Sequence, residues 1–179
     1  MKDPDAISST SLTTSERIQL LRTIHQNHVE LSGIADRKAS TFIAAALLTL
    51  ALIFIGVDRA DPAITPIVLA AFTLGAAVFA AFAVLPRSQP EAGRAHKFNL
   101  FFFGSFAQLS EREFTTSLSD VLDKKDASLE AMMHDIYQLG TVLHLRKYRF
   151  LHAAYTVFLV GLGCSALTWF IELLSAGRG

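Results

Sequence analysis

Two short clusters in this chain, Asp36-Arg37-Lys38 and Arg146-Lys147-Tyr148-Arg149, combine the residue types that hold a small anion. Arginine grips a phosphate through its planar, forked donors, lysine adds a compact charge, and a neighbouring aromatic ring stacks on a flat ligand. The plainer reading of the same residues is anchoring. In it, Arg and Lys reach out to lipid phosphates and Tyr148 sits at a membrane–water boundary. A third group, Phe98, Phe101, Phe102, Phe103 and Phe106 around Gly104, reads as a packed core or an interfacial wedge, with Gly104 allowing a sharp turn or a close ligand approach.

Other chemistry finds little footing. His25 and His28 lie one helical turn apart, yet no carboxylate or cysteine joins them at a metal-binding spacing, so a core or solvated role is expected. The single cysteine, Cys164, lies within an apolar run and offers neither an internal disulfide nor a CxxC site. There is no GxSxG, no HExxH and no glycine-rich phosphate loop, and the chain is expected to be neither an enzyme nor a carrier of a metal or resident cofactor.

The elements that position the clusters are unusual. Three charge-free apolar runs, Ala39–Val57, Pro62–Leu85 and Phe150–Ile171, each have the length needed to cross a bilayer as a helix. A soluble helix buries one stripe and keeps polar residues on the rest, whereas Ala39–Val57 holds only Ser40, Thr41 and Thr49 as polar side chains. The fold class expected is therefore an all-α membrane protein with three transmembrane helices. The basic residues orient it: five precede the first run, nine lie between the second and third, and Arg59 and Arg178 are the remaining two of 16. By the positive-inside rule the N-terminus and the segment between the second and third spans are cytoplasmic, and the C-terminus is outside. The net charge of zero provides no basic surface for nucleic acid. No Asp, Glu, Lys or Arg lies near the centre of a span, which argues against a substrate-specific transporter.

The resulting plan is a disordered tail over residues 1–12, a cytoplasmic helix over 13–38, a first span over 39–57 and a short external turn over 58–63. A second span over 64–85, a cytoplasmic helical region over 86–150, a third span over 151–172 and an external tail over 173–179 complete it. Thr13 with Glu16, and Ser110 with Glu113, form the capping-box pattern that opens a helix. Without a proline from Thr13 to Val57, the first helix is expected to run unbroken into the membrane, carrying Leu20, Ile24, Leu31 and Ile34 on one side. A helix from about Ala127 carries Leu129, Met133, Ile136 and Leu143 and passes into the third span. The N-terminal helix and the region between spans two and three are expected to pack as a small cytoplasmic bundle. About 65 and about 38 residues outside the membrane suit a sensor or assembly module better than a conventional catalytic domain. Gly161 with Ser165, and Ala71 with Gly75, are small-xxx-small pairs compatible with packing or self-association.

The order of these pieces resembles a known family. A helix ending in Ala35-Asp36-Arg37-Lys38-Ala39-Ser40 enters a first span, and a hairpin leads to a second span ending in Leu-Pro. Then follow Asn99-Leu-Phe-Phe-Phe-Gly104 and Lys147-Tyr-Arg-Phe-Leu151 at the third span. This is similar to the transmembrane effectors of the Pycsar anti-phage systems, over roughly residues 20–170. The resemblance implies a bacterial inner-membrane effector activated by a cyclic pyrimidine mononucleotide, cUMP or cCMP, made by a cognate cyclase. Activation would impair the membrane and end in abortive infection, with the protein expected to act as a homo-oligomer. The segments matching the family pattern place the ligand contacts at Asp36, Arg37, Lys38, Asn99, Phe103, Lys147, Tyr148 and Arg149. The alternative is a non-catalytic accessory membrane protein that scaffolds a partner, its basic clusters serving only as anchors.

Overall fold

The computed structural model describes residues 12–57, 63–85 and 98–177. Most of the expected tail and external turn, and the start of the expected cytoplasmic helical region, fall on residues 1–11, 58–62 and 86–97, outside the described residues. The elements are α1 (Thr14–Gly56), α2 (Ile64–Val84), α3 (Phe103–Phe106), α4 (Glu111–Leu122), α5 (Lys125–Val142), a π-helical segment (Leu143–Tyr148) and α6 (Arg149–Ala176). No strand occurs among the described residues. The structure divides into two compact units, one of residues 12–29 and 98–139, the other of 30–57, 63–85 and 140–177.

The second unit carries the spans. Small side chains let its helices approach closely, which is how helices pack where lipid removes the hydrophobic drive between them. Ala46, Ala76, Ala80 and Ala154 form a fully or almost fully buried cluster with Phe42. Phe42 meets the rings of Tyr155 and Phe158 edge-on, at centroid distances of 5.0 and 5.6 Å. Gly161 on α6 lies against Phe72 of α2 so closely that an added Cβ would stand 2.2 Å from the Phe72 Cβ. A second small cluster of Ala39, Ala83 and Leu151 packs with Val84 and Phe150.

The same helices leave large apolar side chains uncovered, including Leu52, Phe54, Leu74, Leu159 and Leu167, with Ile55 83% exposed. Three helical stretches are long and apolar enough to cross a membrane, within Thr14–Gly56, Ile64–Val84 and Lys125–Ala176, and at most 22% of each apolar stretch is buried inside the chain. Apolar surface of that extent needs lipid, and the chain is a membrane protein.

One carboxylate ties two of these helices together. Ala63 at the start of α2 supplies no side-chain cap. Glu172 of α6 supplies one instead, accepting from Ile64 N (2.7 Å), Thr65 N (3.3 Å) and the Thr65 hydroxyl (2.8 Å). The anion stands where the first N–H groups of the helix lack internal partners and the helix dipole is positive.

In the first unit both capping boxes are present. Thr13 Oγ1 accepts from Glu16 N at 3.3 Å while Glu16 accepts from Thr13 N at 2.7 Å. Ser110 and Glu113 make the same reciprocal pair at the start of α4. The inward face of α1 differs from the expected one: within this unit Leu21, Ile24, His25 and His28 are half-buried and Leu20 is exposed. The spacing 21, 24, 25, 28 is as helical as the expected one, and His25 Nε2 stands 3.2 Å from an Asp135 carboxylate oxygen. On α5, Met132 is half-buried and Met133 is exposed.

Candidate functional site

The chain from Lys125 to Ala176 is one continuous helix of 52 residues, interrupted in character only by the π-helical turns at Leu143–Tyr148. A π-turn admits an extra residue and re-aims the side chains around it, and such segments recur at functional positions. Here it holds Arg146, Lys147 and Tyr148. The Lys147 ammonium donates to Ser32 Oγ (2.7 Å) and to both carboxylate oxygens of Asp36 (2.7 and 2.6 Å). All three of its N–H groups are thereby used, and the lysine side chain is only 20% exposed. Ser32 and Asp36 lie four residues apart on one face of α1, the spacing that lets both meet a single cation.

This contact joins the two basic clusters read from the sequence. Arg37 and Lys38 flank Asp36, and Tyr148 and Arg149 flank Lys147; all four are exposed. Among the described residues Arg37, Lys38 and Arg149 make no ion pair. They remain open to an anion in the middle of α1 and at the start of α6, where the apolar spans begin.

Asn99 and Phe103 belong to the other compact unit. Asn99 is 3% exposed, and its side chain is fully engaged there. Its amide nitrogen donates to Asp135 (2.9 Å) and Gln138 (2.8 Å), and its oxygen accepts from Phe101 N (2.9 Å), an Asx-turn that folds the segment entering α3. In this state Asn99 positions the phenylalanine segment. Phe103 at the start of α3 is 59% exposed, its ring 4.9 Å from that of Phe102. Gly104 and Ser105 are buried within the single turn of α3.

Ser32, Asp135 and Gln138 were not among the residues singled out from the sequence. Ser32 carries a readable signal, its four-residue spacing from Asp36, whereas Asp135 and Gln138 gain their roles only when Asn99, distant in sequence, folds against them. Among the described residues no group of three or more His, Cys, Asp or Glu side chains is placed to hold a metal ion.

No curated protein and no solved structure matches the chain. The Pycsar effector protein domain matches it over residues 19–174, nearly its whole length. The matched region contains both basic clusters, the Asn99 segment and all three apolar stretches, and the chain belongs to the Pycsar effector family.

Proposed function

We propose that this protein is an inner-membrane effector of anti-phage defence that acts without catalysis, switched on by a cyclic pyrimidine mononucleotide, cUMP or cCMP. The observation that carries the reading is the Lys147–Asp36–Ser32 contact, which gathers two basic clusters and leaves Arg37, Lys38 and Arg149 exposed beside it. The ligand's single phosphodiester charge is held by these guanidinium and ammonium groups, and Tyr148 stacks on the base. With 14 of 16 basic residues before the first span or between the second and third, both polar segments face the cytoplasm, where a cyclase releases its product. Binding favours a state in which the spans impair the bilayer, by as much as the ligand's affinities for the resting and active states differ. The protein works as a homo-oligomer, its partners being lipid and further copies of itself.

The test is Arg37→Gln. Losing one charge-assisted hydrogen bond, worth about 1.5–3 kcal/mol, raises the concentration of cUMP or cCMP needed for membrane failure roughly 10- to 150-fold, with membrane insertion unchanged. If Arg37 serves only as a lipid anchor, insertion and abundance fall while ligand response in the inserted fraction stays the same.

A further inference from the structure

Lys147 is held in a way that its neighbours in sequence are not. It lies in the π-helical segment Leu143–Tyr148, one-fifth exposed, with its three N–H groups taken by Asp36 and Ser32. A π-turn has poorer hydrogen-bond geometry than α-helix and persists where surrounding contacts enforce it. Within this unit the contact best placed to enforce it is the Lys147–Asp36 ion pair, since it fixes a residue of the segment to a separate helix. The cation is also the one member of the basic clusters whose charge is already neutralised by the protein.

We propose that the Asp36–Lys147 pair is an autoinhibitory latch that an anionic phosphodiester opens by taking Lys147 from Asp36, releasing the π-helical segment to α-helix. The proposal rests on the ligand reading above for the identity of the anion, but the latch itself is a property of the two side chains. Its mechanical consequence follows from helix geometry. Removing one residue's worth of π-winding turns everything C-terminal to it by about 100° and shifts it by about 1.5 Å along the axis. α6 follows this segment directly, so α6 turns against α2. The turn carries Gly161 off Phe72 and Glu172 off the start of α2, two contacts that fit only one rotational setting of α6. A local exchange of one anion for another thereby becomes a change in how two spans pack.

The experiment uses the full chain expressed without any nucleotide cyclase. Asp36→Asn keeps the shape of the side chain and removes the charge that holds Lys147. The expected result is activation with no ligand, seen as loss of membrane potential and a fall in survival of about tenfold or more relative to wild type. A second arm locks the rotation: Gly75→Cys with Val157→Cys, in a Cys164→Ser background, places two thiols where an added Cβ at Gly75 lies 3.8 Å from Val157 Cγ1. Oxidation to the disulfide is expected to suppress the toxicity of Asp36→Asn, and reduction to restore it. An Asp36→Asn protein that inserts normally and stays silent overturns the latch, and toxicity that survives the disulfide overturns the rotation. Should Asp36→Asn not accumulate in the membrane, Ser32→Ala weakens the same latch and must lower the requirement for whichever of cUMP and cCMP activates the wild type; an unchanged requirement overturns the proposal. A toxic Asp36→Asn beside a wild type that ignores both cUMP and cCMP upholds the latch and refutes the nucleotide reading.

Discussion

Single atoms decide how tightly α2 and α6 fit. Gly161 leaves no space for a β-carbon against Phe72. Gly161→Ala therefore forces the two helices apart, with an expected loss of about 1–3 kcal/mol in unfolding of the detergent-solubilised protein, the cost of overpacking a close contact. Thr73 has the opposite sign. Its side chain is wholly buried and its hydroxyl has no hydrogen-bond partner among the described residues, a desolvation cost that Thr73→Val removes while keeping the shape. A gain of about 1 kcal/mol or more is expected in the same measurement, and a loss would show that the hydroxyl finds a partner in the working protein. Residues of this kind were only partly legible in the sequence. Gly161 with Ser165 stood out as a small pair, and Gly161 does lie at a helix contact. Glu172 did not stand out, because it sits just past the last charge-free run and its partners, Ile64 and Thr65, are more than a hundred residues away.

Local signals in the elements were the most readable. Both capping boxes form where Ser or Thr stands three residues before Glu, since their hydrogen bonds are made within one turn and need no tertiary partner. At α4 the Glu113 carboxyl is held below the ordinary glutamate range, first by the Ser110 hydroxyl and then by the Ser110 backbone N–H. A carboxyl whose folded value is depressed contributes stability above its unfolded value, and that contribution is lost as pH falls through the folded value. Amide exchange at Ser110, Glu113 and Phe114, whose N–H groups the capping box and first turn engage, is therefore expected to be protected near neutrality and to lose protection, relative to the middle of α4, as pH drops through and below the glutamate range. Ser110→Ala, which costs about 0.5–2 kcal/mol of helix stability, removes that acid sensitivity. The π-helical segment was not legible. Leu-His-Leu-Arg-Lys-Tyr has ordinary helix-forming composition, and the contacts that hold its Lys147, from Asp36 and Ser32, span 111 and 115 residues and leave no local signal. On α1 the expected Ile24 is half-buried while Leu20 is exposed, and Leu21, His25 and His28 share the inward face; the partner of His25, Asp135, is far away in sequence.

At the scale of the whole molecule, membrane residence was written plainly in three apolar runs, because lipid imposes length and composition on each span independently of its neighbours. The candidate site was legible as residue types and not as roles. Of the eight residues singled out, Lys147 and Asp36 neutralise one another, Asn99 is committed to shaping its own loop, and Arg37, Lys38, Tyr148 and Arg149 stay exposed at the level of the latch, while Phe103 is exposed in the other unit. That pattern is what the proposed resting state requires: exposed charge to attract an anion, and a neutralised charge for the proposed ligand to release. The most direct measurement places the purified full-length protein in lipid vesicles loaded with a self-quenching dye and titrates in cUMP and cCMP. Saturable dye release by at least one of the two, abolished or shifted to higher concentration by Arg37→Gln, is the predicted result. Release that is absent at every concentration of both nucleotides, or equal with and without them, contradicts the account.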